Sequence, residues 1–116
     1  HDYRVRTGFR EARFTLDGFS LNGRRLQIFG LNRHEIYPYV GAAMPPSVKR
    51  RDAEILKEDF NVNFVRCSHY PQSPAFLDAC DELGLLVWQE VPGWQFIGDA
   101  DLVRIVLTGP AVIDKA

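Results

Sequence analysis

Asn63-Phe64-Val65-Arg66-Cys67-Ser68-His69-Tyr70-Pro71-Gln72-Ser73-Pro74 is the stretch on which the fold turns. Its first part, over 63–68, is short and apolar at Phe64 and Val65, which predicts a buried strand. Ser73-Pro74 then has the form of a helix start, a capping residue followed by proline at the first helical position. Phe76, Leu77, Cys80 and Leu83 recur at helical spacing behind it, and Gly84 closes the helix as its C-terminal cap. Leu85-Leu86-Val87-Trp88 is a second short, continuous apolar run. A strand, a helix and a strand of this size are the unit from which parallel sheets are built.

Working toward the N-terminus, residues 47–60 change to a helical period. Val48, Ile55, Leu56 and Phe60 fall on one stripe, Ser47 is the expected cap, and Lys49-Arg50-Arg51 reads as the solvated face. Before it lies a polar, Gly- and Pro-rich loop over 36–46. Residues 13–31 alternate in the manner of strands, with turns at Asp17-Gly18 and Asn22-Gly23 and a last strand over about 25–31. On the other side, a weaker helical pattern begins near Ala100, and residues 109–116 fit no element.

The resulting order predicts an α/β fold, a parallel sheet covered by helices. No G-x-G-x-x-G or Walker-type loop follows a strand, so nucleotide binding has no support. A (β/α)8 TIM barrel is the economical reading. Whole barrels take about 250 residues, so the 116 residues here are expected to supply a partial barrel of about three βα units. A formal net charge of -1 gives no reason to expect nucleic acid as a partner, and no apolar run has the length of a membrane span. Cys67 and Cys80 belong to no ligand cluster and are expected to be buried thiols, with a disulfide between them open.

Functional groups of parallel α/β folds gather at the carboxyl ends of the strands. Three polar clusters occupy those ends: Asn32-Arg33-His34-Glu35, the run from Arg66 to Pro71, and Gln89-Glu90. All three are expected on one rim. His34 and His69 are the first candidates for chemistry, against the alternative of histidines that only brace the structure. His34, Glu35 and His69 have the residue types of a metal site but no compact motif, and none is expected. Glu90 reads either as an acid or base, or as an ion-pair partner of Arg33 or Arg66. Trp88, within a strand, is expected in the core. Trp94, in a Pro-Gly loop, is the better candidate for stacking on a ligand.

At this point the residues resemble glycoside hydrolase family 2, which includes β-galactosidases, β-glucuronidases and β-mannosidases. The resemblance is carried by 63–71, continued by Phe76-Leu77, Asp81, Gly84 and Leu85-Leu86-Val87-Trp88, and by Gly30-Leu31-Asn32-Arg33-His34-Glu35. Gly8-Phe9-Arg10-Glu11 is similar to the hinge into the barrel. Residues 1–7 would then be the last strand of a preceding immunoglobulin-like β-sandwich, and 8–116 the N-terminal portion of the barrel domain, entered through a β-hairpin. The resemblance implies a retaining glycosidase in which two carboxyl groups roughly 5–5.5 Å apart act as acid/base and nucleophile. Those glutamates follow the fourth and seventh strands in the family, neither Glu35 nor Glu90 matches them, and this chain is expected to hold neither. His69 and His34 map onto positions that hydrogen-bond sugar hydroxyls, and Arg66 onto one that orients the catalytic carboxylate. Asn32, Glu90 and Trp94 complete the expected substrate-binding set. A magnesium site of some β-galactosidases uses Glu-x-His after the third strand, where this chain reads Pro92-Gly93-Trp94-Gln95-Phe96. No metal or cofactor is therefore expected. The expected partners are a β-glycoside and either the remainder of a parent chain or further copies of this one.

Overall fold

The computed structural model describes residues 1–4 and 7–91. The helix expected near Ala100, Trp94 and the stretch 92–96 lie outside the described residues. Residues 1–4 carry no regular element. The elements in chain order are β1 (Ala12–Thr15), β2 (Gly18–Leu21), β3 (Arg24–Arg25), β4 (Gly30–Arg33), α1 (Pro46–Glu54) continued by a π-helical turn (Ile55–Asp59), β5 (Phe64–Cys67), α2 (Pro74–Leu83) and β6 (Leu86–Gln89).

The first three strands form an antiparallel meander, with Phe14 opposite Phe19 and their rings 4.9 Å apart. Asn22 and Gly23 both take positive φ, 50° and 75°. That is the backbone a two-residue turn needs to follow the twist of its strands. The Asn22 carboxamide also accepts the Glu11 N–H at 2.8 Å, closing the turn against the start of β1.

The strand expected over 25–31 is two strands belonging to two sheets. β3 ends the meander, and β4 opens a parallel sheet of order β4-β5-β6. Asn63 bridges the crossing. Its side chain donates to the Gln27 carbonyl and accepts the Phe29 N–H, both at 2.8 Å, while its own N–H donates to the Phe29 carbonyl at 3.0 Å. Where β4 begins, a Cβ on Gly30 would lie 2.4 Å from the Phe64 ring and 2.6 Å from the Phe64 carbonyl oxygen. Only glycine lets the two strands pair there.

The parallel register sets Gly30, Phe64 and Leu86 in one row, Asn32, Arg66 and Trp88 in a second, and Arg33, Cys67 and Gln89 in a third. Side chains alternate across the sheet. Val65 and Cys67 therefore point into a core shared with Ala53, Leu56, Phe76, Leu77, Ala79 and Cys80 of the helices, while Arg66 and Trp88 point to the opposite face. Trp88 is thus 57% exposed rather than core, because it stands on the face that a closed barrel turns inward. Both cysteines are free and buried, and burial pushes each thiol up to about 12. They are inert spacers in the core.

The cap of α1 lies two residues before the expected Ser47. Pro45 is the cap, in extended backbone, and Pro46 takes the first helical position, where its missing N–H and fixed φ cost nothing. After Glu54 the helix loosens into the π turn, closed by the Phe60 N–H on the Ile55 carbonyl at 3.1 Å. The extra residue carries Phe60 off the apolar stripe, leaving it 62% exposed. α2 runs as the sequence predicts, with Gly84 at φ 70° as its left-handed cap. No helix among the described residues is long and apolar enough to cross a membrane.

Candidate active site

Parallel pairing brings the carboxyl ends of β4, β5 and β6 to one edge, so the three polar clusters share a rim as expected. Arg66, pointing away from the helices, donates from Nε to Glu90 Oε1 at 2.6 Å, and its Nη2 lies 2.5 Å from the same oxygen. The other carboxylate oxygen, Oε2, lies 2.8 Å from Nδ1 of His69. An ionised carboxylate only accepts, so Nδ1 of His69 carries the proton. The 3.3 Å approach of Arg66 Nη2 to that same nitrogen is then a contact between two donors, and Glu90 is the partner that satisfies both. The Ser68–His69 peptide is cis.

Glu90 is therefore an anchor. Burial pushes its carboxyl up, but the hydrogen bonds from His69 and Arg66, with the charges behind them, outweigh that and hold it below the ordinary 4.5. A carboxylate so held is ionised at neutral pH and cannot serve as a general acid. Of the two sequence-level readings of Glu90, the ion pair with Arg66 is the one the geometry supports.

His34 is exposed at the end of β4, its ring 5.3 Å from the His69 ring in an edge-on arrangement and 6.1 Å from the Tyr70 ring. Asn32 is exposed in the same row as Arg66 and Trp88. The structure thus brings His34, Asn32, Arg66, His69 and Glu90 to one rim. It separates Glu35 from them. Arg33 and Glu35 flank His34 in sequence, and both are buried. The Arg33 guanidinium donates to Asp52 Oδ2 from Nε (3.0 Å) and Nη2 (2.8 Å), to Glu35 Oε2 at 3.4 Å and to Gln72 Oε1, and lies 3.9 Å above the Phe76 ring. Glu35 Oε1 meets Lys49 Nζ at 2.8 Å, Oε2 accepts the Ser73 N–H at 3.0 Å, and the Glu35 N–H donates to the Tyr70 hydroxyl at 3.0 Å.

One expectation is corrected here. Lys49 does not belong to the solvated face of α1 with Arg50 and Arg51. Its side chain is 12% exposed against 48% and 54% for theirs, because it is turned to Glu35. The trio of His34, Glu35 and His69 is not gathered for a metal, since Glu35 is committed to Lys49, Ser73 and Arg33. No metal-holding group of three or more His, Cys, Asp or Glu occurs among the described residues. Sequence reasoning also passed over Asp52 and Gln72 as partners of these groups. A usable signal lay in the i, i+2 spacing of Arg33 and Glu35 at a strand end, which sends two charges to one side and the intervening histidine to the other.

A parallel sheet with helices on one face and charged, hydrogen-bonding groups gathered on the rim fits part of a TIM barrel. The chain belongs to glycosyl hydrolases family 2: the model of that family's TIM barrel domain matches residues 13–104. It is 59% identical over 104 residues to a β-galactosidase of Thermoanaerobacterium thermosulfurigenes, covering 90% of this chain and 14% of that protein. A β-galactosidase of Thermoanaerobacter pseudethanolicus is 57% identical over 105 residues, with the same two coverages. Among solved structures, the β-glucuronidase of Parabacteroides merdae superposes with a TM-score of 0.70 at 47% identity, over 76% of this chain and 11% of that one. The chain thus spans about one seventh of the length of these two β-galactosidases.

Proposed function

We propose that this chain is the sugar-positioning side of a retaining β-glycosidase that hydrolyses O-glycosyl bonds in carbohydrate metabolism. The observation that carries the proposal is the Arg66–Glu90–His69 triad with His34 beside it, on the rim of a family 2 barrel sheet. In this reading His69 and His34 hydrogen-bond the sugar hydroxyls, Arg66 turns toward a catalytic carboxylate, and Asn32 and Trp94 contact the sugar. Glu90 acts through His69 and Arg66. The two catalytic glutamates are supplied from outside these 116 residues, because Glu35 and Glu90 are both committed to cations and backbone donors. Residues 1–7 would end a preceding sandwich domain, and 8–116 open the barrel.

The test has two arms. The 116-residue chain should hydrolyse nitrophenyl β-glycosides no faster than buffer. The Thermoanaerobacterium thermosulfurigenes β-galactosidase carrying this segment in place of its own should turn them over. Turnover by the chain alone that Glu90→Gln abolishes would overturn the assignment, as would a folded but inactive graft.

Among the described residues β4 and β6 each pair on one side only, and Phe64, Arg66 and Trp88 line a sheet face that no described helix covers. An open edge and an apolar inner face favour association. Light scattering after size-exclusion chromatography should give a mass above that of a monomer for the chain alone. A monomer melting in one cooperative step would show that the open sheet costs less than this reading requires.

A further inference from the structure

Glu35 and Lys49 belong to a cluster of charged residues to which the glycosidase reading gives no task. Both are nearly buried, at 9% and 12% side-chain exposure, and neither reaches the open face of the sheet. Charges are not taken out of water without partners, and here the partners are specific. Arg33 and Lys49 face Glu35 and Asp52, two positive groups against two negative, so the cluster is neutral as a whole. It also joins three segments. Arg33 and Glu35 bracket His34 at the end of β4. Lys49 and Asp52 belong to α1. Tyr70, Gln72 and Ser73 follow His69, and Ser73 stands at the N-cap position of α2, its side chain making no capping bond.

Glu35 is the point where these meet. Its carboxylate accepts from Lys49 and from the backbone of Ser73, and its own N–H is held by the Tyr70 hydroxyl. One residue of the segment carrying His34 therefore bonds both to α1 and to the segment carrying His69. The carboxylate also lies at the N-terminus of α2, where the helix dipole favours negative charge. Gln72 adds a second tie, accepting from Arg33 and donating its backbone N–H to Gln89 at 3.4 Å, one residue before Glu90. Because Arg33 and Glu35 are drawn to the helix side, His34 is left on the other, with its ring edge-on to that of His69.

We propose that Glu35 and Lys49 are positioning residues of the sugar site: their buried pair fixes the spacing and orientation of the His34 and His69 rings on which hydroxyl recognition depends. The proposal rests on the glycosidase reading for its consequence and on the geometry alone for the link between the pair and the rings. Catalysis that relies on held geometry is sensitive to small displacements at the rim, and about 1 Å can cost 100-fold.

Two measurements separate these levels. In the 116-residue chain labelled with 15N-histidine, Lys49→Met and Glu35→Gln should each move the ring resonances of His34 and His69. Glu35→Gln combined with Lys49→Met, which removes both charges together, should return them toward the parent. In the complete glycosidase carrying this segment, Lys49→Met should lower kcat by about 10- to 100-fold with little change in KM. Lys49→Arg and the double variant should recover most of that loss, and Arg51→Ala should change nothing. If both single variants lowered only the melting temperature and left the rings and kcat as in the parent, the pair would be a brace and the proposal would fail. Ring shifts without any loss of kcat would also overturn it. Should the complete parent protein show no glycosidase turnover, that reading would fall by itself, and the ring resonances alone would decide whether the pair positions the histidines.

Discussion

His69→Ala, made in the complete glycosidase carrying this segment, is expected to lower kcat/KM by about 2–4 kcal/mol, the scale of losing one positioned hydrogen-bonding group from the transition state. Three features of the rim set that size. The His69 ring is held by a charged partner on Nδ1, Glu90 Oε2 at 2.8 Å, so its orientation is fixed before substrate arrives. Glu90 is in turn gripped by Arg66, so the holder does not itself swing. The His34 ring stands 5.3 Å away, so two imidazoles present themselves together. Truncating His69 removes one of them and also leaves half of the Glu90 carboxylate unsatisfied. His34→Ala should lower kcat/KM as well, by less, because His34 is placed by ring packing against His69 and Tyr70. Steady-state kinetics with melting curves in parallel decide the matter. A His69→Ala enzyme with parental kcat/KM and a lowered melting temperature would make the histidine a structural one.

The parts of this fold that could be read ahead were those set by local chemistry. Ser73-Pro74 and Gly84 bound α2 because proline and glycine act on the backbone wherever they stand. β5 and β6 were legible as short apolar runs, and their carboxyl ends follow from parallel pairing, which is why the rim was found. What escaped was set by long-range contacts. Nothing local tells the chain to break 25–31 into strands of two sheets, since the cause is the Asn63 side chain 34 residues after Phe29. Lys49 sits in a run of three basic residues, and only the arrival of Glu35 at 2.8 Å separates it from Arg50 and Arg51. Trp88 looked like core because an inner barrel face and a protein core have the same apolar signature. Glu90 could be placed on the rim but not given its role, because its role is decided by which cations reach it.

Arg33→Met should be among the most destabilising substitutions in the chain, at about 3–5 kcal/mol, the cost of taking one partner out of a buried charged cluster. Methionine keeps much of the aliphatic stem against Phe76 but removes every guanidinium bond. Asp52 loses both its donors from Arg33, Gln72 Oε1 loses its partner, and Glu35 keeps only Lys49 and the Ser73 N–H. Small domains are stable by about 5–15 kcal/mol, so the variant is expected at or near the edge of folding. Arg50→Ala is the matched control. Arg50 also makes two ion pairs, with Glu54 and Glu82, but its side chain is 48% exposed, and exposed pairs add little to stability. Acid supplies a second reading of the same cluster. Burial pushes the Glu35 carboxyl up, yet the bonds from Lys49 and Ser73 and the charges of Lys49 and Arg33 bring it below 4.5 on balance. Its stabilising share is therefore complete above 4.5 and is lost as pH falls through the lower folded value. Arg33→Met moves that folded value back up, so the stability gap between parent and variant should narrow in acid. Urea unfolding followed by circular dichroism, at neutral pH and in acid, measures both effects. Equal midpoints for Arg33→Met and Arg50→Ala would mean that the cluster under the rim is no stronger than a surface pair.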